Sequence, residues 1–385
     1  MKKLSFILIL FSIALRSFSQ PATIRGMYVD GFSTILGNIQ QEDSLLNYAQ
    51  DNSFNYLALY DLWPVHVAHN LTNTSSSAIL ANFIQKAKQQ YNILQIGAIG
   101  ENYFFFNNVI NVYNQQHSNP LQKFDVYNVE FEFWNTTTVS SGNYYCTTYL
   151  LPGAYSCDTA GAFAYYKTLI RQVDSLANAN GVMSELYVGW FNQGQAITIG
   201  NSIDRILLHD YISNYSWIYS YVRTRLQYLA ARNIIIQVIP IFSAEPSFMG
   251  PWLNTNPIQQ AYNDVATGLN NETGIWKQYI DLKGYQWFAY SFMPPSPVLT
   301  GIDDIQPENI TVYPNPSTGN ISIHLKEPND HKVILYNMFG QKVHESEYKQ
   351  TEMINIDIHH LSAGTYLCRI QTGEQLITKR ILITK

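Results

Sequence analysis

Between residues 21 and 297 the chain alternates apolar strand-like runs with longer helical stretches eight times, a rhythm that restricts it to a parallel sheet wound with helices. The strand-like runs are 24–29, 56–60, 94–99, 126–133, 185–190, 205–209, 234–239 and 285–290. Helical periodicity occupies 42–51, 77–90, 160–180, 215–232 and 257–269. Eight such units in this length fit one (β/α)8 barrel, an α/β fold. A doubly wound open sheet is the alternative, but no glycine-rich phosphate loop opens any of the helices.

One run differs from the rest. Residues 124–134 read F-D-V-Y-N-V-E-F-E-F-W. Strand side chains alternate faces, so Asn128, Glu130 and Glu132 share one face while Tyr127, Val129, Phe131 and Phe133 take the other. Burying neighbouring carboxylates is costly unless the site is polar or one of them keeps a proton, which points to acid–base chemistry. A barrel-interior strand whose carboxylates are satisfied by Arg, Tyr or water is the plainer reading.

The spacing Asp125, Asn128, Glu130, Glu132, with Phe124 before it and Trp134 two positions after, resembles the D-x-x-D-x-D-x-E strand of glycoside hydrolase family 18, the chitinases and endo-β-N-acetylglucosaminidases. The resemblance implies Glu132 as general acid and Glu130 as the carboxylate that positions an N-acetyl group, with Asn128 where the family carries an acid. The sixth run, I-L-L-H-D-Y, is similar to the family's motif there and places Asp210 and Tyr211 on its last two positions, with His209 for the usual Tyr. The eighth, W-F-A-Y-S, resembles the strand carrying the family's floor tryptophan, with Tyr290 or Trp287 in that role. Each position has a second reading: Asp210 as a helix cap, His209 as a barrel-interior residue, Trp287 and Tyr290 as core aromatics. Tyr60 and Trp63 after the second run and Glu101 after the third are further cleft candidates. A covalent two-carboxylate route through Glu132 and Glu245, which follows the seventh run, stays open.

The ends of the chain have their own signatures. Residues 1–19 combine a basic start, a short apolar run and small residues at Ser17 and Ser19, the pattern of a signal peptide. No other segment is long and apolar enough to serve as a transmembrane anchor. From 309 to 385, after a linker at 298–308, short alternating runs predict a small all-β sandwich. Its V-Y-P-N-P-S-T-G opening, central Y-N-M-F-G-Q and late G-T-Y closely resemble the C-terminal sorting domain of the type IX secretion system of Bacteroidetes. That resemblance implies export, to the medium or the cell surface, with the secretion machinery as a partner. An ordinary accessory module is the alternative.

Charged residues make up only 13% of the chain and the net charge is −5, which argues against a nucleic-acid partner. Aromatics reach 14%, and aromatic faces with Tyr, Asn and Gln hydrogen bonds are how neutral sugars are held. Cys146 and Cys157 are close enough in sequence to staple a loop beside the candidate strand, while Cys368 lies on an alternating strand as a buried thiol. No zinc spacing is present, and the expectation is no metal and no cofactor. The reading is a secreted glycosidase acting on a glycan containing N-acetylhexosamine. A carbohydrate-binding barrel without chemistry is its rival.

Overall fold

The computed structural model describes residues 24–295, 310–337, 341–372 and 375–384. The expected signal peptide and the linker lie outside these residues. The chain divides into two compact units at Ser296 and Pro297.

The first unit carries β1 (Ile24–Val29), β2 (Tyr56–Leu59), β3 (Gln95–Gly100), β4 (Val126–Glu130), β5 (Met183–Val188), β6 (Arg205–His209), β7 (Ile236–Ser243), β8 (Ile280–Leu282) and β9 (Gly284–Phe288). Strands β1 to β7 pair in parallel in chain order, and β9 closes the ring between β7 and β1. The short β8 pairs only with β7, so the barrel has eight strands, in agreement with the eight runs of the sequence. Helices fill the connections, among them Ile39–Asp51, Ala78–Gln90, Thr159–Asn180, Ile218–Ala230 and Gln260–Asn270. The longest is bounded by local chemistry. The Asp158 carboxylate accepts from Gly161 N at 2.7 Å, and Gly181 ends the helix at φ 65°, where a side chain would be strained.

Alternation along each strand builds two cores. Outward side chains such as Leu57, Tyr127, Val129, Leu186 and Trp287 join the layer beneath the helices. Inward ones such as Tyr28, Tyr56, Ile99, Val126, Tyr187 and Leu207 fill the barrel. That interior also holds an ion pair: Glu185 and Arg205 are 0% and 1% exposed and hydrogen-bonded to each other. The second partners are supplied by Tyr56 Oη and Asn128 Nδ2, each donating to Glu185 Oε1 at 2.6 Å, and by Gln95 Oε1, which accepts from Arg205 at 3.0 Å. Taking two charges out of water costs several kcal/mol per ion unless such bonds repay it.

The second unit is antiparallel: β10 (Ile310–Tyr313), β11 (Asn320–Asn337), β12 (Lys342–Asp357), β13 (Gly364–Thr372) and β14 (Gln375–Ile383). Strand β11 breaks register with β12 between His324 and His331. Its first half faces β10 and its second half β13. Ile321, Ile323, Val333, Leu335, Ile354, Ile356 and Ile370 make its core, with Tyr366 and the free thiol of Cys368 buried among them. Burial pushes that thiol up to about 12, so it stays protonated and unreactive.

Replacing Glu185 by Leu leaves the Arg205 guanidinium buried without its counter-charge. Urea unfolding of the barrel is expected to lose about 3–5 kcal/mol, and the further change Arg205→Met to recover most of it. An unchanged midpoint for the single variant would mean the pair contributes nothing.

Candidate active site

The C-terminal ends of barrel strands converge on one mouth. Strand β4 ends at Glu130, three residues before the end of the predicted run, because Phe133 N bonds back to Phe131 O at 2.9 Å and turns the chain. Glu132 therefore sits on a turn rather than on the strand. Phe131 and Phe133 still bury outward, Phe131 stacking on Tyr145 with centroids 4.2 Å apart, and Glu132 is left at the mouth. Its Oε2 accepts from Asn135 Nδ2 at 2.9 Å and its Oε1 from Tyr187 Oη at 3.4 Å.

Glu130 lies deeper. Its Oε2 is shut off from solvent and has no hydrogen-bond partner. Burial, and then the charges of Glu132 and Glu101, push its carboxyl from an ordinary 4.5 up to about 8, with the Tyr28 hydroxyl acting in the opposite direction. The phenols of Tyr28, Tyr60 and Tyr211 are raised by burial first and by Glu130 second, so they remain protonated donors.

Beside this pair, at the ends of β2 and β3, is a cavity of about 530 Å³ lined by Tyr60, Asp61, Trp63, Glu101, Phe104, Tyr144 and Tyr149, among others. Trp63 and Tyr144 are half exposed, at 50% and 53%. Glu101 Oε2 accepts from Tyr149 Oη at 2.7 Å and from Tyr144 Oη at 2.8 Å. Those tyrosines flank and occupy the π-helical turn Cys146–Leu150, which a disulfide from Cys146 to Cys157 ties to the start of the helix Thr159–Asn180. The structure thus brings Tyr60, Trp63 and Glu101 together in one cavity next to Glu130.

Several sequence expectations are corrected. Asn128 is fully buried beneath the mouth, donating to Glu185 and accepting from Tyr28 Oη at 3.2 Å, so it is unavailable to a substrate. Asp210 falls on the outward phase of β6. It is 0% exposed among the helices, neither carboxylate oxygen has a partner, and burial pushes its carboxyl far above the usual range. It neither reaches the mouth nor accepts a capping bond. Trp287 also points outward, fully buried, with Nε1 donating to Ile258 O at 3.2 Å and its ring against Phe242 at 5.2 Å. Tyr290 leaves the mouth too, its ring lying edge-on to Tyr48 at 5.6 Å. Phe288 takes the inward position instead, between Tyr28 and Tyr211, each 5.8 Å away.

His209 and Tyr211 do face inward, their rings stacked 4.1 Å apart. Burial, then the Arg225 charge, lowers His209 to about 3, so it is a neutral ring and not a proton carrier at working pH. Glu245 is turned onto its own neighbour, accepting from Ser243 Oγ at 2.8 Å, and the carboxylates that raise Glu130 are Glu132 and Glu101. Tyr28, Tyr144, Tyr149, Tyr187 and Phe288 were missed by motif reading. Strand phase alone would have found Tyr28, Tyr187 and Phe288. Tyr144 and Tyr149 sit in a loop and carry no periodic signal.

Residues 311–384 match the family model of the secretion system C-terminal sorting domain. The match identifies this segment as the type IX sorting domain and the protein as one sent to the cell surface or beyond. Among the described residues no helix is long and apolar enough to cross a membrane. No curated protein matches the chain. Solved structures similar to it include a calcium-binding mutant of Bacteroides uniformis β-glucuronidase 2, at 10% identity and TM-score 0.43 over 94% of this chain and 46% of that one. The present chain thus spans under half of that enzyme's length. A Cellulomonas fimi endo-β-1,4-mannanase double mutant is similar at 11% identity and TM-score 0.38, over 94% of both chains. A Bacteroides vulgatus DUF3244 protein with an immunoglobulin-like β-sandwich aligns at 22% identity and TM-score 0.18, over 19% of this chain and 81% of its own.

Proposed function

We propose that the barrel is an exported O-glycosyl hydrolase whose proton donor is the Glu130–Glu132 pair. The observation that carries this reading is Glu130, a carboxyl held near 8 by burial and by two neighbouring carboxylates at the mouth of a barrel. Glu130, pushed up to about 8, keeps its proton at neutral pH. Glu132, on the turn at the mouth, is the group that gives a proton to the departing glycosidic oxygen. Tyr187 and Asn135 fix the Glu132 carboxylate through the hydrogen bonds described above. Trp63 and Tyr144 offer ring faces to sugars, and Glu101 and Tyr60 offer polar contacts.

The substrate we propose is a glycan containing N-acetylhexosamine, with Glu130 placed as the family-18 resemblance implies for the carboxylate that orients the N-acetyl group. Its support is that likeness and the position of Glu130 beside the aromatic cavity. The two-carboxylate route through Glu132 and Glu245 is the alternative: Glu245 follows β7 and its charge acts on Tyr211 at the mouth, while its Oε2 accepts from Ser243 Oγ at 2.8 Å.

A screen of the protein against chitin oligosaccharides, N-glycans and plant polysaccharides, with products read by mass, tests the activity. Glu132→Gln is expected to lower turnover at least a thousandfold, about 4 kcal/mol of barrier, with unfolding unchanged. Equal turnover in the variant would remove Glu132 from the chemistry. Binding by the parent without products would leave a carbohydrate-binding barrel.

Glu130 makes a separate prediction. With 4.5 as its ordinary value and about 8 in the fold, the folded chain binds more protons than the unfolded one between those pH values. This group's favourable contribution is therefore complete below the lower value and is lost as pH rises to the upper one. Glu130→Gln removes the dependence, so urea unfolding at stepped pH should show the variant gaining on the parent from about pH 4.5 to 8 and levelling above. A constant offset would mean that Glu130 is ionised in the folded chain throughout.

A further inference from the structure

We propose that Trp190 is a stacking platform for a sugar on the side of the Glu130–Glu132 pair opposite the cavity, so that a glycan lies across the pair and is cut internally. This inference rests on the proposed glycosidase reading and adds to it the mode of attack.

The strand order places the two sides. The cavity is built on the ends of β2 and β3, the carboxylates on β4, and Trp190 two residues past the end of β5, the next strand round the barrel. Trp190 is 49% exposed. It is also held rigidly. The Arg225 guanidinium lies 4.5 Å from the centre of its ring, and Tyr221 meets it edge-on at 5.2 Å.

Arg225 is itself only 3% exposed, with NH1 donating to Gly189 O and His209 O at 2.9 Å and NH2 to Tyr221 O at 3.0 Å. A buried cation thus ties the ends of β5 and β6 together and backs an indole that is about half exposed. Trp190 and Glu132 are linked by a chain of packed groups. Trp134 packs on Gly189, where an added Cβ would come within 2.6 Å of the indole. The same indole packs on Tyr187, at 5.8 Å, whose hydroxyl meets Glu132. A rigid, half-open ring with little entropy left to lose is what a pyranose face stacks on. A closed pocket would take chain ends. A pair of carboxylates with aromatic surface on both sides takes the middle of a chain.

The test uses the full chain carrying Glu132→Gln, titrated calorimetrically with disaccharides and hexasaccharides of the chitin, cellulose and mannan series. In at least one series the hexasaccharide should bind about tenfold tighter than the disaccharide. Trp190→Ala should remove that gain, and Trp190→Tyr, which keeps a ring over Arg225, should retain most of it. A gain that survives Trp190→Ala, or no gain with length, overturns the platform. Length-dependent binding lost in Trp190→Ala but with no products from the parent overturns hydrolysis and leaves the platform standing. No binding in any series overturns both. With an active parent, internal fragments of the hexasaccharide are the expected products, and stepwise release from one end overturns internal attack.

Discussion

The Glu185–Arg205 pair inside the barrel is the interaction on which the site depends. With its partners Tyr56, Gln95 and Asn128 it joins β2, β3, β4, β5 and β6 through hydrogen-bonded side chains in the barrel interior. Asn128 stands opposite Glu185, and Glu185 opposite Arg205, in the strand registers. A slip of one residue on any of these strands would turn a charge or an amide into the helix layer, so the network sets the phase of each strand as well as its register. Counting by twos from its members leads to the mouth: Glu130 from Asn128, Tyr187 from Glu185, and His209 from Arg205 by way of Leu207.

That phase also decides the electrostatics. The ion pairs of the described residues do not include Glu101, Glu130 or Glu132. Phenols occupy the positions around them, and Tyr, at 28, outnumbers Lys and Arg together, at 23. The choice has a chemical consequence. A lysine or arginine beside Glu130 would stabilise its anion and pull its carboxyl back down, whereas a neutral hydroxyl donates a hydrogen bond at far smaller electrostatic effect. A low charge content, which at the level of composition only argued against nucleic acid, is at the level of the site what allows a carboxyl to keep its proton at neutral pH.

The barrel is legible in the sequence because its signal is periodic and repeated: β1 and β6 coincide with the expected runs, and the others differ by a few residues at their ends. The acidic run is legible only as far as Glu130, which alternation from Asn128 turns inward; Glu132 reaches the mouth from the turn that follows. What fails is transfer by motif without phase. Asp210 and Trp287 match positions in a resemblance, yet each is one residue out of step with an inward neighbour, His209 and Phe288 respectively, and is carried into the helix layer. Tyr144 and Tyr149 fail differently. They reach Glu101 from a loop whose path no alternation encodes.

That loop explains why the cavity wall and the route of export belong together. The segment from Tyr144 to Tyr155 has no strand partner in the barrel sheet. The bond between Cys146 and Cys157, 11 residues apart, closes it just before Asp158, which caps the longest helix. Closing a loop of this size removes unfolded-chain entropy equivalent to roughly 3 kcal/mol, comparable to several hydrogen bonds. Such a bond persists only where thiols are oxidised. In a reducing compartment the two tyrosines would hold the wall through their hydrogen bonds to Glu101 and their ring contacts with Phe131, Tyr145 and Tyr165, without the covalent tie. Export of the chain, which the sorting domain marks, thus takes it out of the reducing compartment and into surroundings where this bond persists.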